Sequence, residues 1–335
     1  MRFGLSLPHY GYSLPEGEPI SFDAMAGVAR RAETLGFDSV WMSDHLVYSL
    51  GRYGGSDAPV ASLEPMMALA GLAAVTDRVR LGTLVLSAAF RPPPLLAKMA
   101  VTLDRIAGGR LDLGIGAGWL EEEFTAFGYP FGTVGKRFAT LEAALRVLTA
   151  LAGPEPVDLD AGDVHLRDAV MLPPALQEPH VPVWLGAKGG DRALGLAARY
   201  ADGWNTVWRW SPAAYRDRVA AAHRACESVG REPSSLRLSV GLYGLLGEDE
   251  ASARAAFERG RAAMPGGALD DETYETWRDD TLSGTPEQVR ERVAAFEALG
   301  VEELILAPWV LPFAVVEPSQ VDLFAEQVMA PLAGA

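Results

Sequence analysis

The chain has 335 residues, 49% of them hydrophobic, and a formal net charge of −15. That length and apolar content suit one large α/β core, while the acidity argues against nucleic acid or an anionic membrane surface as a partner. Cys226 is the single cysteine, which excludes an intrachain disulfide and a zinc–thiolate cluster and fits a reducing cytoplasm.

Residues 2–7 read as a buried strand stopped by Pro8. The opening run has no apolar core of a secretory signal, and no stretch reaches the roughly 18 apolar residues of a membrane span; a soluble cytoplasmic protein is expected. After a Gly-, Tyr- and Pro-rich loop, Ser21 stands as a helix N-cap. Phe22, Met25, Ala26, Ala29 and Ala32 then recur at helical spacing as far as Gly36. Residues 38–42 form a second strand that runs into Ser43-Asp44-His45, and residues 47–62 lack periodicity and read as an insertion. A helix over 64–76 precedes a third strand over 79–86. The next helix puts Leu95, Leu96, Met99, Ala100, Leu103 and Ile106 on one face and ends at Gly108-Gly109. A strand over 110–115 opens into Gly114, Gly116 and Gly118.

Glu121-Glu122-Glu123 suits a helix start, where carboxylates meet the positive end of the dipole, and a longer helix covers 134–151. Residues 153–181 break the rhythm with many prolines and a turn at 161–163, and read as a hairpin-bearing insertion. A strand over 182–186, a helix over 191–200 and a strand over 202–206 follow. Ser211-Pro212 starts a helix that runs to Gly230, and residues 236–245 make a seventh strand. Helices near 249–264 and 270–280 follow, the second within a third insertion at 265–284. Thr285-Pro286-Glu287-Gln288 is a capping box, residues 302–307 an eighth strand, and 317–332 a last helix. Strands that alternate with helices imply parallel pairing, and eight such units point to a single (β/α)8 TIM barrel over 1–335. A doubly wound open sheet is the competing architecture.

In a barrel of this kind chemistry gathers at the C-terminal strand ends. Asp44-His45 is the only acid–histidine pair among them. His45 reads as a hydrogen-bond donor or proton shuttle to a bound ring, or else as a packed structural histidine beneath a capping Asp44. Gly114-x-Gly116-x-Gly118 departs from the dinucleotide spacing and reads as a shelf for a flat ligand or as a plain tight turn. Gly186-Ala187-Lys188-Gly189-Gly190 joins a strand to a helix N-terminus, a setting for phosphate, or for a turn with a solvated lysine. His9, His45, His165, His180 and His223 are scattered without metal-ligand spacing, and no G-x-S-x-G or Walker sequence occurs. So few acid, base and metal groups suggest that a cofactor carries the reaction. Trp41, Trp119, Trp184, Trp204, Trp208 and Trp210 lie at or near strand ends; each taken alone reads as core, and the six together suit a flat, conjugated ligand.

The set F-D-S-V-W-M-S-D-H-L at 37–46, L-G-T-L-V-L at 81–86, G-G-R-L-D-L-G-I-G-A-G-W at 108–119, P-V-W-L-G at 182–186 and A-A-R-Y-A-D-G-W at 197–204 resembles the bacterial luciferase-like superfamily. Within it the chain looks most like oxidoreductases that use the deazaflavin F420. The resemblance implies a TIM barrel, a homodimer and a small organic substrate. It places His45, with Asp44 beside it, at the reactive edge of the ring, and a non-proline cis peptide at Leu84-Val85 behind the ring. It places Gly116, Ala117, Gly118 and Trp119 at the cofactor tail, and Gly186, Ala187, Lys188, Gly189 and Gly190 at its phosphate. Trp119 stands where sugar-phosphate dehydrogenases of the family keep a catalytic glutamate, and Lys188 replaces a small residue. The implied function is F420-dependent hydride transfer. The alternatives are an FMN-dependent monooxygenase and a cofactor-binding protein without turnover. A separate F420 or flavin reductase would supply the reduced cofactor.

Overall fold

The computed structural model describes residues 1–16 and 18–334. Its strands, in chain order, are β1 (Arg2–Ser6), β2 (Ser39–Met42), β3 (Arg80–Thr83), β4 (Leu86–Ser87), β5 (Leu111–Gly116), β6 (Val157–Ala161), β7 (Val164–Ala169), β8 (Val183–Gly186), β9 (Gly203–Trp208), β10 (Arg237–Tyr243) and β11 (Val301–Ala307). Apart from the antiparallel β6–β7 pair, strands alternate with helices, as expected of (β/α)8 units. The third strand is the exception to a simple reading. It is interrupted at Leu84–Val85, whose peptide bond is cis, and so forms two short pieces rather than one run over 79–86.

Helix boundaries follow local chemistry. Ser21 accepts the Ala24 amide at the start of the helix Phe22–Thr34, and Gly36 lies just beyond its end at φ 90°. Thr285 and Gln288 close a reciprocal capping box before Pro286–Glu297. Two further boxes, Asp249 with Ser252 and Thr273 with Thr276, begin Glu250–Ala263 and Tyr274–Asp279. The helix expected over 270–280 is thus shortened by its own cap. Among the described residues no helix is long and apolar enough to cross a membrane.

The chain divides into two compact units. The first comprises Met1–Leu63, Thr206–Ala220 and Leu238–Ala335. Within it β2, β1, β11 and β10 pair in parallel, with Leu5 opposite Val40 and Leu306, and Tyr243 opposite Ala307. This register brings the C-terminal ends of these strands to one edge. A cluster around Phe257, Tyr274, Trp277, Trp309 and Val310 fills the space under the 265–284 insertion. The second unit comprises Glu64–Asn205 and Ala221–Arg237. Here β3, β5, β8 and β9 pair in parallel and β4 continues along β5, with Ser87 opposite Gly116 and Gly186 opposite Asn205. The 153–181 insertion contains the expected hairpin, β6 against β7.

Each unit buries one carboxylate inside its sheet. In the first, Glu303 is inaccessible and receives Arg2 at 2.8 Å, the Trp41 indole N–H at 3.1 Å and the Ser39 hydroxyl. In the second, Asp112 is inaccessible and receives Arg80 Nε at 2.5 Å and the Trp184 indole N–H at 3.2 Å. Buried charges persist where partners of this kind surround them.

Candidate functional site

The first unit's strand ends assemble an aromatic and hydroxyl-rich group. Ser43 and Asp44 are buried and His45 is half-buried. The His45 ring lies 4.9 Å from Tyr48 and 6.2 Å from Tyr10, centroid to centroid. Tyr10 also stacks on Tyr12 at 5.3 Å, and Tyr48 lies 5.0 Å from Tyr10. The backbone leaving this corner is pinned from the 47–62 insertion, because the Ser62 hydroxyl donates to the carbonyls of His45 (2.8 Å) and Leu46 (3.2 Å). That insertion is therefore a clamp on the strand end rather than a free loop. Burial keeps the phenols of Tyr12, Tyr48 and Tyr243 protonated well above neutrality, so they serve as neutral hydrogen-bonding groups. Trp208 stacks on Tyr243 at 5.5 Å, and a second non-proline cis bond, Val207–Trp208, occurs here. The sequence did not join Tyr10 or His9 to Ser43, since the bonds that link them to it span more than thirty residues.

The second unit's strand ends bring Leu84, Val85, Gly116 and Gly186 together, and they revise the glycine reading. A Cβ at Gly186 would stand 2.5 Å from Val85 Cγ1, one at Gly116 2.9 Å from Val85 Cγ2, and one at Gly114 2.0 Å from the Thr83 carbonyl oxygen. These glycines form a socket for the Val85 side chain. Val85 fills the side of Gly114, Gly116 and Gly186 on which a Cβ would stand. Gly118, at φ 73°, packs against Phe124 and Ser87, while Ala117 is half-buried and Trp119 is exposed. The Gly186–Gly190 turn is also partly committed. The Ala187 amide donates to Asn205 O at 3.0 Å, and its carbonyl accepts the Trp204 indole N–H at 2.9 Å. The Ala187 amide and carbonyl are therefore both engaged within the protein. Beyond it Lys188 is exposed, and Gly190 caps the helix Asp191–Tyr200 without a side-chain bond.

The socket makes a direct prediction. Gly186→Ala should cost about 1–3 kcal/mol by overpacking, and Val85→Ala in the same chain should relieve part of that loss. A double-mutant cycle read by denaturant unfolding should show a coupling of about 0.5–3 kcal/mol. Strictly additive effects would mean that Val85 is not what excludes a side chain at Gly186.

The tryptophan reading also needs correction. Trp41, Trp184 and Trp204 are fully buried, and their indole N–H groups are used by Glu303, Asp112 and Ala187 O. They are core residues, because an indole at a strand interior satisfies its one donor inside the sheet. Trp208 and Trp210 are half-buried, with Trp210 donating to Thr206 Oγ1 at 3.1 Å, and Trp119 is exposed. The second unit also holds a cavity of about 260 Å3, bordered by Leu113, Val183, His180, Asp202 and Arg231. It lies at the N-terminal starts of β5, β8 and β9, the end of such strands that serves stability.

These two groups of strand ends belong to a barrel of the luciferase type. Residues 1–303 match the family described as luciferase-like monooxygenase, and the chain belongs to that family. It is 33% identical over 231 residues to the F420-dependent glucose-6-phosphate dehydrogenase of Kineococcus radiotolerans, covering 68% of this chain and 66% of that one. It is 29% identical over 291 residues to the pyrimidine monooxygenase RutA of Escherichia coli, covering 84% of this chain and 76% of that one. Among solved structures, an F420-dependent secondary alcohol dehydrogenase in complex with an F420–acetone adduct superposes with a TM-score of 0.77 at 19% identity, covering 98% of each chain. The fold is the (β/α)8 barrel.

Proposed function

We propose that the protein is an F420-dependent oxidoreductase acting on a small organic substrate. The observation that carries this reading is the 33% identity, over 68% of the chain, to the F420-dependent glucose-6-phosphate dehydrogenase. Two local features fit such a ligand. A Cβ at Gly190 would meet nothing within 4 Å, so the first turn of the helix Asp191–Tyr200 has the space that a phosphate group needs beside its amides. At the end of β1, Ser6 Oγ is buried without a hydrogen-bond partner among the described residues, a polar group that a bound molecule would satisfy.

When bound, F420 would supply or accept the hydride. His45 would donate a hydrogen bond or move a proton at the ring, with its backbone held by Ser62. Asp44, buried beside it, would orient it. Lys188, Gly189 and Gly190 would bind the anionic tail, while Leu84, Val85, Gly116, Ala117, Gly118 and Trp119 would shape the wall around it. Trp119 is no carboxylic acid, so activity on sugar phosphates is not part of the proposal. The homodimer and the separate reductase belong to the same reading.

A second reading, an FMN-dependent monooxygenase, is favoured by the longer match to the pyrimidine monooxygenase, which covers 84% of the chain. Fluorescence titration with F420 and with FMN separates the two. Binding of F420 in preference to FMN supports the first reading, and binding of FMN alone replaces it with the second. His45→Ala should leave cofactor affinity in place and lower turnover by about 100-fold, the lower end of what a positioned acid or base contributes. Unchanged turnover would remove His45 from the reaction.

A further inference from the structure

Three buried polar groups at neighbouring strand ends of the first unit form a hydrogen-bond chain whose direction can be worked out. His9 is wholly inaccessible, and its Nδ1 lies 2.9 Å from the Leu7 carbonyl oxygen. A carbonyl only accepts, so Nδ1 holds the hydrogen. Burial pushes the His9 pKa down to about 3, so the ring is neutral and Nε2 is bare. Nε2 lies 3.0 Å from Ser43 Oγ, which must therefore donate. With its own hydrogen committed, Ser43 Oγ accepts from the Tyr10 hydroxyl at 2.5 Å. The chain runs one way, from Tyr10 through Ser43 and His9 to the Leu7 carbonyl. Phe313, with its ring centroid 4.9 Å from that of His9, packs against the imidazole.

The chain bears on His45 from two sides. Ser43 is two residues before it on the same strand end. The Tyr10 ring, anchored by its hydroxyl, packs with Tyr48, and both rings flank the His45 imidazole. We propose that Tyr10, Ser43 and His9 are positioning residues that hold the His45 ring in a single orientation through this one-way chain. The proposal rests on the reading that His45 acts at the cofactor ring, but its geometry can be tested without any cofactor. A static network limits the orientations that a catalytic side chain samples, and small displacements of such a group are expensive in rate.

The test is nuclear magnetic resonance of the full chain labelled with 15N-histidine, with signals assigned from His9→Gln and His45→Ala. In the native protein at neutral pH His9 should show a protonated Nδ1 and a bare Nε2. A proton on Nε2, or a charged ring, would break the chain and overturn the proposal. The His45 ring should show one set of signals and a nuclear Overhauser contact to Tyr48. Ser43→Ala should cause loss of that contact and multiple or broadened His45 signals, and Ser43→Thr, which keeps the hydroxyl, should restore them. Tyr10→Phe keeps the ring, removes one link and makes the same comparison should Ser43→Ala fail to fold. An unaltered His45 spectrum in these variants would refute the positioning role. Turnover of His45→Ala separately tests the reading on which the proposal rests, so the two can fail independently.

Discussion

Replacing Arg80 with leucine should cost about 3–5 kcal/mol of folding stability, the penalty of leaving a buried charge without its partner. Asp112 is inaccessible within β5 and pairs with Arg80 on β3 at 2.5 Å. The Trp184 indole, at 3.2 Å, gives a hydrogen bond but no charge. Arg80 also donates to the Leu111 carbonyl and to Gln177, so its loss frees acceptors as well. Asp112→Asn should cost less, about 1–3 kcal/mol, because the Arg80 side chain is 24% exposed and can turn to water. The double variant should recover part of the Arg80→Leu loss. Denaturant midpoints of the three variants provide the check. An Arg80→Leu protein within about 1 kcal/mol of the native one, or a more damaging Asp112→Asn, would show that the pair is not the anchor of this sheet.

The second large effect is acid sensitivity from His9. Its pKa is lowered from 6.5 to about 3, chiefly by burial, so the native state refuses a proton that the unfolded chain accepts. The unfolded state binds more protons throughout that window, and stability therefore falls as pH drops below 6.5. The slope attributable to His9 approaches about 1.4 kcal/mol per pH unit, and the whole window amounts to up to about 5 kcal/mol. His180 has the opposite sign. The Asp202 hydrogen bond raises its pKa, so its contribution is present below 6.5 and is lost as pH rises through the raised value. Its side chain is 34% exposed, which makes this term small. His9→Asn isolates the effect because asparagine does not titrate. Its stability should depend less steeply on pH between 4 and 6.5 than that of the native protein, by about one proton. Equal slopes would mean that His9 is already charged or exposed.

Much of the barrel is legible along the chain because its signals are local. Apolar runs such as V-W-M, set between serines, and L-D-L-G-I, set between glycine turns, stand out, and Ser21, Thr285 and Gly36 mark helix ends by side-chain or backbone chemistry alone. The site is less legible because it depends on what packs across strands. The packing of Val85 against Gly114, Gly116 and Gly186 leaves no trace in the spacing of those glycines. Trp41 and Trp184 look like cofactor walls until their indoles are found on buried carboxylates. His9 looks like one of several scattered histidines until Ser43 and Tyr10 are placed beside it. The Leu84–Val85 cis bond leaves no propensity signal of its own. Resemblance to the family anticipated it, whereas the second cis bond, at Val207–Trp208, was not anticipated.

The proposed reaction is hydride transfer with a deazaflavin and without oxygen. The direct measurement is oxidation of reduced F420 by the protein under nitrogen, followed spectrophotometrically across a panel of carbonyl, imine and activated alkene acceptors. The account requires F420 to be reoxidised with at least one acceptor in the absence of dioxygen, and His45→Ala to slow that reaction. Reduced F420 left untouched across the panel, with substrate turned over only when reduced FMN and dioxygen are supplied together, would contradict it.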